Sequence, residues 1–269
     1  MRKCNHPSEG FTLVELLTVI AIIGVLAAIL IPVVGKVREN AQRASDLANI
    51  RSIGQAALVY AQEHNGSLPG TNLPATAGTT GFVPGGVTPT TTLYSYAAAL
   101  ALSGGLNNGA VWVSPSDLVG TQGLGNILNN AAIRDFAADA PAFNGATLSF
   151  QTFSGLRASM GANTPVVWTR GLTAATGTWD SSRQNSVYGS DGGHVFFLGG
   201  HVQFFNNLGG DDANGRLVAA NGARTRQVLA TAPAFTGTTA WQTPRVLSST
   251  GAGTGAGLTH DTPATGSLQ

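Results

Sequence analysis

A chain of 269 residues with 43% hydrophobic residues, 10% charged residues and a formal net charge of +1 is long enough for a core of its own. So small a charge gives no reason to expect nucleic acid or an acidic substrate as partner. The lone cysteine, Cys4, excludes a disulfide framework and a thiolate metal cage.

Residues 11–31 hold a single charge, Glu15. At about 1.5 Å per residue they make roughly 31 Å of helix, the thickness of a bilayer's hydrocarbon core, so this segment can span a membrane. A carboxylate inside the span costs up to roughly 2.5–3.5 kcal/mol on insertion scales, and Glu15 therefore needs a positive partner. Arg2 and Lys3 give the chain a basic start. The small polar break Ser8-Glu9-Gly10 precedes the apolar run, whereas in a secretory signal peptide it follows. A cut after Gly10 discards the leader and keeps the helix. It also places a new α-amino group on Phe11, one helical turn from Glu15, where amine and carboxylate can neutralise each other within a chain or between neighbours. Loss of Arg2, Lys3 and Glu9 brings the side-chain charge to zero, and Cys4 leaves with them. Lipidation of Cys4 does not fit, because the small-residue context and the apolar run lie on its wrong side. The basic residues keep the amino terminus cytoplasmic and send the residues after Pro32 across the membrane.

The hexapeptide Gly10-Phe11-Thr12-Leu13-Val14-Glu15, with a basic leader before it and a span after it, resembles the processing signature of type IV pilins and type II secretion pseudopilins. The resemblance implies that a membrane prepilin peptidase cuts after Gly10 and methylates Phe11, and that Glu15 guides subunits into a helical filament. Pro32 stands where the family commonly kinks or loosens the helix. The implied fold is α+β and pilin-like, a long N-terminal transmembrane α-helix packed on a small antiparallel β-sheet head. Its parts are a leader (1–10), a helix (11–65, of which 11–31 transmembrane and 32–65 amphipathic), a soluble head (66–248) and a disordered tail (249–269). The implied partners are prepilin peptidase, other pseudopilin or pilin subunits, an inner-membrane assembly platform and membrane lipid. The implied location is the bacterial inner membrane, single-pass, with the head in the periplasm or on an extracellular filament.

Beyond Pro32, Val37, Ala41, Ala44, Leu47, Ile50, Ile53, Ala57 and Tyr60 recur at three- and four-residue spacing, one apolar face of a helix. Lys36, Arg38, Glu39, Arg43, Asp46, Arg51 and Glu63 occupy its other faces. Proline lacks an amide hydrogen, so Pro32 bends or locally opens the helix without having to end it. One helix over residues 12–64 is predicted, stopped by Asn65-Gly66, which tolerate a left-handed conformation, and by Pro69. Residues 49–56, with Tyr60 and Asn65-Gly66-Ser67-Leu68-Pro69, are similar to the helix end of pseudopilins of the type II secretion protein G-like kind.

Residues 66–92, rich in Gly, Pro and Thr, read as a surface loop. A short helix is predicted over 93–100 and a weaker one over 127–134. Strands are predicted at 110–113, 147–150, 165–169 and 187–188, where β-branched and aromatic runs are bounded by turn residues. The best hairpin joins 194–198 to 201–205 through a two-residue Gly199-Gly200 loop. That loop pairs Leu198 with His201, putting Val195, Phe197, Val202 and Phe204 on one core face and Gln203 on the mixed face. The hairpin also resembles the Asp-Gly-His-Val segment of many pseudopilin-like heads. Here Gly199 replaces the aspartate and Gly189 the upstream histidine.

Motifs that carry chemistry are scarce in the head. Neither a Gly-x-Ser-x-Gly elbow nor a His-Glu-x-x-His motif occurs, and no catalytic residue or enzymatic activity is expected. Asp191, His194 and His201 are close enough in sequence to ligate a metal or to be satisfied singly. Asp211-Asp212-Ala213-Asn214-Gly215 offers oxygen ligands, and the resemblance to major pseudopilins, which bind calcium in the head, implies calcium there. The run lacks the spaced acids of a calcium loop, and a solvated turn is the other reading. Two functions follow: a structural subunit of a type II secretion pseudopilus or type IV pilus-like filament, or a minor tip or anchored surface-binding, adhesin-like protein.

Overall fold

The apolar run and the polar stretch after it form one helix, α1 (Leu13–Glu63), which continues through Pro32. The computed structural model describes residues 12–69, 93–128, 143, 145–173, 177–208, 215–219, 222, 224–225, 228, 231 and 245–247. The chain divides into two units, Met1–Arg43 and Ala44–Gln269. In the first, the large apolar side chains from Leu13 to Val37 stand exposed. Glu39 and Arg43 close an i,i+4 ion pair of 2.7 Å. As the sequence predicts, α1 stops on left-handed residues, Asn65 (φ 53°) and Gly66 (φ 77°). The Gly66 amide donates back to the Ala61 carbonyl at 2.7 Å, satisfying one of the helix's last acceptors.

In the second unit α1 buries Ile50, Ile53, Ala57 and Tyr60, the expected stripe, but also Asp46. That aspartate belongs to the polar face by sequence, and Ala41 and Ala44, assigned to the apolar face, are exposed. Asp46 stands four residues before Ile50, on the line of the buried stripe, and the head supplies hydroxyl donors to its carboxylate, a compensation that residue polarity alone does not declare.

The head is an antiparallel sheet of order β6-β5-β2-β1-β9, made of β1 (Phe150–Ser154), β2 (Pro165–Thr169), β5 (Gly193–Phe197), β6 (Val202–Phe205) and β9 (Arg245–Leu247). Two small ladders accompany it, β3 (Leu172–Thr173) with β4 (Thr178–Trp179) and β7 (Leu217–Val218) with β8 (Arg224–Thr225). Strands β1, β2 and β5 are buried on both faces. On one face Trp168 lies opposite Val195 and donates its indole N–H to Gln151 at 2.9 Å. On the other, Phe196 pairs with Val167 and its ring lies directly against α1 at Gly54. The predicted helix at 93–100 is present as α2 (Leu93–Leu102).

Gly54 is what allows that contact. A Cβ there would stand 2.3 Å from Cδ1 and Cε1 of Phe196, closer than any packed atom tolerates. Gly54→Val is expected to destabilise the head by about 1–3 kcal/mol through overpacking, read as a lowered melting temperature of detergent-solubilised protein. Combined with Phe196→Ala it should cost less than the two single losses added, because the ring it strikes is gone. Additive losses would contradict this packing.

The hairpin exists, but its predicted register is off by one. His194 pairs with Phe204, Val195 with Gln203 and Phe196 with Val202. The loop therefore has three residues, Leu198-Gly199-Gly200, with Gly200 left-handed (φ 84°) and its amide on the Phe197 carbonyl at 2.8 Å. A turn followed by one left-handed glycine is the usual three-residue solution. Phe204 consequently shares a face with His194 and Phe196, while Gln203 shares one with Val195 and Phe197 and remains exposed on the edge strand.

Four other expectations are corrected. Residues 110–113 do not form a strand: Gly109–Trp112 is a 3-10 turn, because the Asn108 side chain caps the Ala110 amide at 3.0 Å and competes with ladder pairing. Val187-Tyr188 is no strand either, since the Asn185 and Ser186 amides fold back onto the Ser182 carbonyl just before it. The strand foreseen at 147–150 begins only at Phe150. Of the helix foreseen at 127–134, Ile127 and Leu128 are non-helical and are held by Asn107. Its remainder lies outside the described residues, as do the loop over 70–92, the run 211–214 and the tail at 249–269.

Candidate functional site

Helix α1 begins with a reciprocal cap. Thr12 is the N-cap residue: its carbonyl accepts the Leu16 amide at 3.2 Å and its Oγ1 accepts the Glu15 amide at 3.3 Å. Glu15, three residues on, reaches back with Oε2, which accepts the Thr12 amide at 2.9 Å and the Thr12 hydroxyl at 2.8 Å. Two of the amides a helix start leaves unpaired are thus satisfied, and a negative charge sits at the positive end of the helix dipole. The Thr18 hydroxyl adds a bond to the Glu15 carbonyl at 2.9 Å. The pattern Thr-x-x-Glu is legible in Thr12-Leu13-Val14-Glu15, yet a reading that seeks only a cation for Glu15 misses Thr12.

The arrangement gives the carboxylate two functional halves. Oε2 is committed to Thr12, and Oε1, which takes neither of these bonds, has lone pairs that can accept from a donor outside the chain. A primary amine is the matching donor, for its charge and its hydrogens both complement a carboxylate in an apolar setting. Gly10 and Phe11 precede the described residues, so their geometry relative to Glu15 lies outside them. Pro32 sits within the continuous helix.

Asp191, His194 and His201 are not brought together. His194 packs its ring edge-on to Tyr188 at 5.8 Å and to Phe204 at 5.0 Å. His201 stacks on Phe197 at 4.6 Å, on the opposite face of the hairpin. Among the described residues, no group of three or more His, Cys, Asp or Glu side chains is placed to hold a metal ion. The calcium-type run at 211–214 lies outside those residues.

Residues 5–31 match the model of the prokaryotic N-terminal methylation motif. The chain therefore carries the signature of type IV pilins and pseudopilins. No curated protein and no solved structure matches it. The motif implies processing by prepilin peptidase and assembly with other pilin subunits. Among the described residues one helix is long and apolar enough to cross a membrane, which with the motif fits a single-pass, membrane-anchored protein. The α+β architecture, with a long apolar helix and a five-stranded antiparallel sheet, is consistent with a pilin-like fold.

Proposed function

We propose that this chain is the precursor of a structural filament subunit of the pseudopilus or type IV pilus-like kind, without enzymatic activity. Prepilin peptidase cuts after Gly10 and methylates the new amino terminus of Phe11. The helix stays in the inner membrane with the head outside the cytoplasm. Assembly then withdraws it into a fibre in which the Phe11 amine of one subunit meets Glu15 of a neighbour. The observation that carries this reading is Glu15 itself: the one charge of an apolar span, held at the helix start with one oxygen free of the cap. Contacts between long apolar helices leave their axial stagger loose, and a charged pair fixes it. Pro32, at the end of the span, lets the helix bend during withdrawal.

Intact mass tests the first step. Protein extracted from membranes is expected to lack residues 1–10 and to carry one methyl group, and a chain retaining Met1 or Cys4 overturns the reading. Gly10→Leu is expected to leave the precursor stranded, because the peptidase must approach the backbone closely at a residue without a side chain.

A further inference from the structure

The carboxylate of Asp46 is fully buried, at 0% exposure, where α1 meets the head. Its Oδ2 accepts the Ser114 hydroxyl at 2.7 Å and the Tyr188 phenol, while Oδ1 has no hydrogen-bond partner among the described residues. Beside it lies a second buried carboxylate, Asp117, whose Oδ1 takes the Arg170 guanidinium at 2.7 Å and whose Oδ2 takes the Ser149 hydroxyl at 2.7 Å. The two are linked, because Ser149 Oγ also accepts the Ser114 amide at 2.8 Å. Arg170 is thereby committed to Asp117 and to the Gln184 carbonyl at 2.9 Å, and the bonds to Asp46 come from hydroxyls.

We propose that Asp46, Ser114 and Tyr188 form a proton-operated latch that grips residues 44–63 of α1 against the head in acid and loosens towards neutral pH. An ionised carboxylate in this place is short of donors and faces another negative charge, whereas the protonated acid keeps its place without that penalty. Burial pushes the Asp46 carboxyl up to about 6; the Tyr188 and Ser114 hydroxyls pull it down and the Asp117 charge raises it further. A folded value above the ordinary 3.8 means that the native state holds the proton more tightly than the unfolded chain. The stabilisation is complete below the unfolded value and is lost as pH rises through about 6.

The other ionisable groups around the latch are identifiable. The 114–120 segment brings Asp117, with Arg170 behind it and Arg183 on the Ser116 carbonyl at 2.8 Å. The 186–191 segment brings Tyr188 and Asp191. From β5, the His194 imidazole touches the Tyr188 ring. On α1, Arg43 precedes Asp46 and pairs with Glu39. Imidazole as a side-chain type changes charge in this pH range, so the test must separate His194 from Asp46.

The test is thermal unfolding of the full chain in detergent between pH 5 and pH 7.5, for wild type, Asp46→Asn, His194→Gln and Tyr188→Phe. Asp46→Asn keeps an oxygen for both hydroxyls but has nothing to ionise. Wild type is expected to lose about 3 °C or more over this window. Asp46→Asn should stay flat and melt above wild type at pH 7.5, and His194→Gln should keep the wild-type slope. An Asp46→Asn protein with the wild-type slope, or a slope abolished by His194→Gln, overturns the latch. Should Asp46→Asn fail to fold, Tyr188→Phe decides: it removes a bond that favours the anion, so the transition should move to higher pH, and an unchanged or lower transition overturns the proposal.

Discussion

Phe197→Asp is expected to leave the head unfolded, while Gln203→Asp, six residues away and on the same sheet face, is expected to cost less than about 1 kcal/mol. Phe197 is buried in β5, its ring edge-on to Phe205 at 6.1 Å and stacked on His201 at 4.6 Å. Deleting a buried phenylalanine costs about 3–5 kcal/mol, and an unpaired carboxylate in the same place adds a desolvation penalty. Together these consume much of the roughly 5–15 kcal/mol that holds a domain folded. Gln203 faces solvent from edge strand β6, where a charge stays hydrated. Limited proteolysis of the two variants in detergent checks the contrast: rapid digestion is expected of Phe197→Asp and wild-type resistance of Gln203→Asp. Equal sensitivity would contradict the difference in burial between Phe197 in β5 and Gln203 on edge strand β6.

That hairpin also marks how far the sequence could be read. Its two strands follow from alternating apolar residues around Gly199-Gly200, but a two-residue and a three-residue loop use the same glycines. Which loop forms is decided by the left-handed Gly200 and by pairing along the whole sheet. The apolar span and the helix stop at Asn65-Gly66 are legible because local composition and backbone preference set them. The burial of Asp46 is not legible, because its partners stand 68 and 142 residues further along the chain. At the site, Glu15 is conspicuous as a charge in an apolar run. The bonds that tie it to Thr12 are equally local, and they escape a reading that treats the carboxylate only as a cost. The short strands β3, β4, β7 and β8, two residues each, are too brief for any periodicity to declare them.

Glu15→Ala is expected to be inserted and processed but to disappear from fibres. Removing a charge from an apolar span removes an insertion cost, and the positive-inside signal in Arg2 and Lys3 is untouched. In the proposed assembly, what is lost is the acceptor for an incoming Phe11 amine, which is then buried without a partner. A charged group left so costs upwards of about 1–3 kcal/mol per contact, or roughly tenfold or more in assembly. Alanine also deletes the cap on Thr12, so the informative companion is Glu15→Gln. Its amide oxygen can still accept from the Thr12 amide and hydroxyl, yet it carries no charge. If the cap were all that mattered, glutamine would restore assembly; if the ion pair matters, it will not. The deciding measurement is a fractionation of cells expressing wild type, Glu15→Ala or Glu15→Gln alone, comparing processed protein in membranes with protein in sheared fibres. Processed Glu15→Gln that accumulates in membranes and falls roughly tenfold or more in the fibre fraction is the predicted result, and Glu15→Gln fibres at wild-type yield would contradict the account.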